Sequence, residues 1–406
     1  MNALGPQVAP LAKRALAVEP FHVMRLLARA RELEAAGQQV LHLEIGEPDF
    51  PTPAPVLVAA RQALAAGHTH YTPAAGLTRL REVIAGYYGR RLGVCVEPAR
   101  VLVTPGASGA LQLVLLALLD PGDRILIADP SYPCYRQVVR LAGGEPIAVP
   151  VGPASGYKLT RALIERAWVS GIRALLVASP SNPTGAVLSM QELMGLYRLC
   201  QERGVSLILD EIYQGLVYGV ESPTALALGE EGVFVVNSCS KYFGMTGWRV
   251  GWVVAPRGAA ATLERIAQNL FIAAGTLAQH AACAAFEPAT ESILEERRQT
   301  FARRRGILLR GVRDLGFQVE GEPAGAFYIY AGLPDRVRID SMTYAARLLD
   351  EGGVAVTPGA DFGDHEAARH LRFAYTRDVG EIAGALERIA HWQSGIESGR
   401  APASDP

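Results

Sequence analysis

A chain of 406 residues can bury a large hydrophobic core and has room for one large domain plus a smaller one. Its 39 Lys and Arg balance 40 Asp and Glu, so no net field draws it to nucleic acid or to an anionic membrane. Small-molecule substrates and a second copy of the chain remain as the expected partners.

The N-terminal stretch mixes Lys13, Arg14 and Arg25 with apolar residues but has no signal-peptide core and cleavage site. It predicts one helix, EPFHVMRLLARARELEAAG, within an arm (residues 1–45) that joins the smaller domain. From about residue 100 to 255, short apolar runs alternate with segments of helical spacing. RVLVT, RILIA, PIAVPV, ALLVAS, SLILDE, VFVVNS and RVGWVVA are continuous Val/Ile/Leu-rich runs, as expected of strands covered on both faces. The predicted fold is α/β with a mostly parallel seven-stranded sheet in a large domain, residues 46–290. No full helix separates the last two runs, so one strand is expected to run antiparallel. Long charged helices and the runs GAFYIYA, GVAVT and HLRFAYT predict that residues 291–395 complete the smaller α+β domain. Residues 396–406 form a low-complexity tail expected to be disordered.

The longest apolar stretch, LVLLALL (Leu113–Leu119), falls well short of the roughly 20 residues of a membrane span. The scattered Cys95, Cys134, Cys200, Cys239 and Cys283 lack a CxxC pair, which predicts a reducing, cytoplasmic setting without disulfides or structural zinc. His68 and His70 lack a third ligand at suitable spacing, so no metal is expected.

Ligands of open α/β sheets bind beyond the carboxyl ends of the strands, and the polar breaks in this sequence fall there. Gly106, Ala107 and Ser108 lie between a strand and a helix, as a phosphate cradle or simply a tight turn. Asp210 ends an apolar run with Tyr213 three residues on; it either caps a helix or awaits a cation that is not an obvious side chain. Asn182 in SPSNPTG is either a turn residue or a ligand-facing amide. Arg372, inside LRFAYT, must be paired, either by an internal acid or by a ligand carboxylate. Lys241 stands almost alone as a charge in NSCSKYFGMTGWRVGW, among small hydroxyls, glycines and aromatics, with Arg249 eight residues later.

Together SPSNPTG, DEIY, SCSKYFGMTGWRVGW and LRFAYT resemble the fold-type I pyridoxal-phosphate aminotransferases, closest to the aspartate/aromatic/alanine class I branch. The likeness runs from LEIGEPDF (Leu43–Phe50) to LRFAYT. It implies that Lys241 holds pyridoxal 5'-phosphate as a Schiff base and later shuttles the substrate proton. It implies that Arg249, Ser238 and Ser240 complete a phosphate site begun by Gly106, Ala107 and Ser108. Asp210 would pair with the pyridine nitrogen, Asn182 and Tyr213 would bond the ring oxygen, and Tyr132 would stack on the ring. Arg372, helped by Gly46, would clamp the α-carboxylate. Tyr71 would reach the phosphate of a neighbouring subunit, which implies a homodimer with shared sites. The implied reaction is ping-pong transfer of an amino group from an L-amino acid to a 2-oxo acid. β-Elimination on the same cofactor is the alternative, and a cofactor-sensing regulator a remoter one. Two departures from the family pattern stand out: Cys239 replaces a larger apolar residue, and Ser108 stands where an aspartate-specific branch carries lysine.

Overall fold

The computed structural model describes residues 11–397. Helix Val379–Glu397 runs through Ile396 and Glu397, the start of the predicted tail; the rest of that tail lies outside the described residues, as do the first ten. After a short β1 (Leu41–His42), the seven apolar runs form one sheet: β2 (Val101–Thr104), β3 (Arg124–Asp129), β4 (Glu145–Pro150), β5 (Ile172–Ala178), β6 (Ser206–Asp210), β7 (Val233–Ser238) and β8 (Gly251–Val254). Their order across the sheet is β2-β8-β7-β6-β5-β3-β4. β8 runs antiparallel to both neighbours, and the other pairings are parallel. The antiparallel strand follows from the missing crossover helix: Lys241 and its neighbours make a short loop instead, so the chain must turn straight back.

The sheet is buried on both faces. Leu207 to Leu209 and Val233 to Val236 are 3% exposed or less, which accounts for runs without alternation. Helix Gly106–Leu118 covers it beside β7 and β8, and helix Met190–Arg203 starts on a capping box made by Ser189 and Glu192. Strand order reverses between β3 and β5, leaving a crevice at the carboxyl ends of the central strands.

Chain ends meet in the smaller sheets. β1 pairs in parallel with β10 (Val354–Ala355), while β9 (Tyr328–Gly332), β11 (Thr357–Pro358) and β12 (His370–Ala374) form an antiparallel sheet with β12 in the middle. Arg372 therefore sits between Thr357 and Tyr330 in register. Helix His22–Ala35 packs on β11 and on the turn Gly359–Asp361, and the Asp361 carboxylate accepts from the His22 and Val23 amides at 2.6 and 2.9 Å. Among the described residues no helix is long and apolar enough to cross a membrane.

Candidate active site

A cavity of ≈ 270 Å³ opens at the crevice. Gly46, Ala107, Ser108, Tyr132, Asn182, Asp210, Tyr213, Lys241 and Arg372 all line it, so nine of the residues singled out in the sequence share one wall.

Gly106, Ser238, Ser240 and Arg249 do not line the cavity, but next to its lining residues Ala107 and Ser108 they make a site built for an anion. Gly106 opens its helix with φ +72°, and a Cβ there would lie 2.4 Å from Nη2 of Arg249. Only glycine lets the guanidinium approach the start of the helix, where free backbone N–H groups also point. Arg249 Nη1 donates to the Ser240 hydroxyl at 3.4 Å, and the Ser238 and Ser240 hydroxyls are 2.9 Å apart. These side chains converge from β7, the lysine loop and the helix after β2.

A second site is built for a cation. Asp210 terminates β6, one of the inner strands, and is 3% exposed. Burial pushes its carboxyl up to about 6, against hydrogen bonds from the Tyr135 hydroxyl (2.7 Å) and the Ile212 amide (3.0 Å) that hold it down. A buried carboxylate with no basic partner among the described residues calls for a positive group in the cavity.

Lys241 lines the same cavity as Asp210. Its Nζ donates to the carbonyl of Gly46 at 2.6 Å. Burial pushes the amine down to about 8; Glu47 opposes the shift, and Arg372 and Arg249 add to it. An amine so placed is neutral for a substantial fraction of the time near physiological pH and can act as a nucleophile or base.

Arg372 answers the alternative left open by its sequence. Among the described residues no carboxylate pairs with it: Nη1 donates to Asn182 Oδ1 (3.0 Å), and Nη2 to the Glu44 carbonyl (2.6 Å) and the Thr357 hydroxyl (3.2 Å). Its Nε is buried without a partner, and the rings of Tyr328 and Phe362 lie 4.2 and 4.9 Å from its centre. The guanidinium is held by neutral groups with its charge uncompensated, which leaves the role of counter-ion to a ligand.

Tyr71, by contrast, is 83% exposed and lies outside the cavity. Cys239 is fully buried, and burial pushes its thiol up, so it fills space rather than reacts. His68 stacks on His280 with ring centres 4.3 Å apart. Sequence reading missed Tyr135, Tyr328, Thr357 and Phe362, and the N-terminal residues Phe21, Val23, Met24 and Leu27 that line the cavity. Tyr135 had one signal, its place three residues after Tyr132; the others sit in apolar patterns that read as core.

The arrangement fits a phosphorylated heteroaromatic aldehyde, with guanidinium and helix start for the phosphate, Asp210 for a ring nitrogen, Lys241 for the carbonyl carbon. Comparison with known proteins decides the family, because the model for "Aminotransferase class I and II" matches residues 38–389. The chain belongs to that family. This aminotransferase is 37% identical over 376 residues to a valine–pyruvate aminotransferase of Mycobacterium tuberculosis, covering 92% of this chain and 96% of the relative. It is 37% identical to the aspartate/prephenate aminotransferase of Thermus thermophilus, over 94% of this chain and 98% of that one. A crystal structure of an aminotransferase from Mycobacterium tuberculosis superposes with a TM-score of 0.91 at 36% identity, covering 96% of this chain and all of the other. The aminotransferase is thus a transferase of fold type I that moves amino groups, and its family works with pyridoxal phosphate.

Proposed function

We propose that this chain is a pyridoxal 5'-phosphate-dependent aminotransferase that exchanges amino groups between an L-amino acid and a 2-oxo acid through the cavity at the ends of β3, β5, β6 and β7. Lys241 carries the reading: a lone amine pushed down to about 8, in one cavity with a buried carboxylate and an uncompensated guanidinium.

When bound, the cofactor supplies a carbonyl for the amine and an electron-withdrawing ring that acidifies the substrate Cα–H. The rest falls to the chain. Gly106, Ala107 and Ser108 present the helix start to the phosphate, with Arg249, Ser238 and Ser240 around it. Asp210, whose carboxylate accepts from the hydroxyl of Tyr135, would hold a proton on the ring nitrogen. Tyr132 would stack on the ring, and Asn182 and Tyr213 would bond its oxygen. Arg372, assisted by Asn182 and Gly46, would fix the α-carboxylate and leave the Cα–H toward Lys241, whose amine would take up that proton and give it back.

The exposed Tyr71 supports a homodimer in which each chain adds this side chain to its partner's phosphate site. The chain divides on this reading into a large cofactor-binding body, residues 46–290, and a smaller one formed by residues 291–395 with the described part of the N-terminal arm, residues 11–45. Five free cysteines suit the reducing cytoplasm.

A half-reaction tests the proposal. Purified holoenzyme is mixed with each amino acid in turn, without acceptor, and cofactor absorbance and 2-oxo acid are followed together. One 2-oxo acid formed per cofactor consumed is the expected result; continuous release of ammonia and pyruvate would show a lyase instead.

A further inference from the structure

Assignment of Lys241 and Arg372 leaves one substituent of the substrate Cα without a partner, its side chain. Arg372 takes the α-carboxylate and Lys241 faces the Cα–H, so the side chain must meet what else lines the cavity. That lining includes Phe21, Val23, Met24 and Leu27 from the N-terminal helix and its approach, together with Ile45 and Leu111.

The helix is pinned where it can serve this purpose. Asp361 takes the His22 and Val23 amides on its two carboxylate oxygens, and the next residue, Phe362, lies 4.9 Å from the Arg372 guanidinium. The apolar side chains at the helix start are thereby held close to the group that grips the α-carboxylate. The capping also spends the charge of Asp361 on backbone donors, so it does not recruit a basic substrate side chain.

Charge points the same way. Among the described residues lining the cavity the cations are Lys241 and Arg372, and the anions are Glu44, Asp210 and Asp361. Both cations already have assigned work. A second carboxylate on the substrate would lose its water in this cavity with no further cation among the described lining residues to receive it. Ser108 offers a hydroxyl and no charge.

We infer that the enzyme selects amino and 2-oxo acids with a neutral apolar side chain, aliphatic or aromatic, seated against Phe21, Val23, Met24 and Leu27, and discriminates against dicarboxylates. This selection rests on the aminotransferase reading of Lys241 and Arg372.

Holoenzyme should turn over leucine, methionine or phenylalanine with kcat/KM at least roughly tenfold above aspartate or glutamate. Calorimetry, which needs no turnover, should show 4-methylpentanoate binding to the holoenzyme more tightly than glutarate. Met24→Lys and Leu27→Lys place a cation on the wall, and each should narrow both gaps by roughly tenfold. Met24 is 56% exposed, so its variant keeps the fold. Preference of the wild type for aspartate or glutamate, or for glutarate over 4-methylpentanoate, would overturn the selection while leaving the aminotransferase reading intact. Gaps unmoved in both variants would overturn the assigned wall. Failure of every amino acid to yield a 2-oxo acid, with neither carboxylate bound, would instead remove the reading of Lys241 and Arg372 and the selection with it.

Discussion

The hydroxyl of Tyr135 donates to Oδ2 of Asp210 at 2.7 Å, and this bond partly counters the burial that pushes the Asp210 carboxyl from 3.8 up to about 6. The folded cofactor-free chain therefore holds its proton where the unfolded chain has lost it. Stability is greatest below the unfolded value and falls as pH rises from about 4 through about 6. The penalty reaches up to about 3 kcal/mol at neutral pH. Apo Asp210→Asn, which has no charge to bury, should melt above apo wild type at pH 8, and the difference should shrink on acidification to pH 4. Tyr135→Phe should raise the Asp210 pKa further and extend the window upward. A melting difference between wild type and Asp210→Asn that does not change with pH would show that Asp210 carries no buried charge.

Lys241 should give a kinetic signature in the uptake of cofactor. Its amine attacks only when deprotonated, so the rate at which apoprotein captures pyridoxal phosphate should climb with pH, pass its midpoint near 8 and level above it. Glu47 raises the amine's pKa, so Glu47→Gln should move the plateau to lower pH. Stopped-flow absorbance reads both profiles. Lys241→Ala should lose turnover and retain no cofactor on the chain after borohydride treatment. A midpoint at about pH 10 would mean the amine is an ordinary solvated one.

For Arg372 the expectation concerns breadth as much as size. Arg372→Leu removes a charge-assisted grip on a group every α-amino acid shares and should cost about 2–4 kcal/mol, roughly 30- to 1000-fold in kcat/KM. The loss should be similar for all donors tested. A loss confined to one donor would make Arg372 a reader of side chains.

Gly106→Ala should act on the phosphate alone. Its Cβ would meet the tip of the flexible Arg249 side chain at 2.4 Å, and alanine is strained at φ +72°. Arg249 should swing away, weakening pyridoxal phosphate binding by roughly tenfold or more while pyridoxal, which lacks the phosphate, changes little. Equilibrium dialysis with the two compounds separates this effect from a general loss of fold, in which both would weaken alike.

The seven-stranded sheet was legible in the sequence because buried parallel strands read as unbroken apolar runs, and its antiparallel strand was legible because a helix was missing. Lys241, Asp210, Asn182 and Arg372 stood out for the same reason, each a polar residue at or in an apolar run. Tyr135, Tyr328 and Phe362 did not, because an aromatic residue in a helix or strand looks like core until its hydroxyl or ring face is seen to meet a particular partner. Those meetings are long-range: Tyr213 and Tyr328 are 115 residues apart, and Asn182 and Arg372 are 190 apart. The N-terminal helix was legible as a helix, but its pattern does not say which of its apolar residues turn toward the cavity.

The Glu44 carbonyl that receives Arg372 is made 328 residues before it. A ribosome adding roughly 5–20 residues per second leaves an interval on the order of 15–65 s between them. Throughout most of it β1 has no strand to join, because β10 is also unmade, whereas β2 to β8 are complete once Val254 has been added. Synthesis thus delivers the pieces that grip the phosphate and the ring well before Arg372, which grips the substrate α-carboxylate. A chain released early by a premature stop in this last third would keep the strands around the cofactor end of the cavity yet lack Arg372, and could sequester the cofactor without turning anything over.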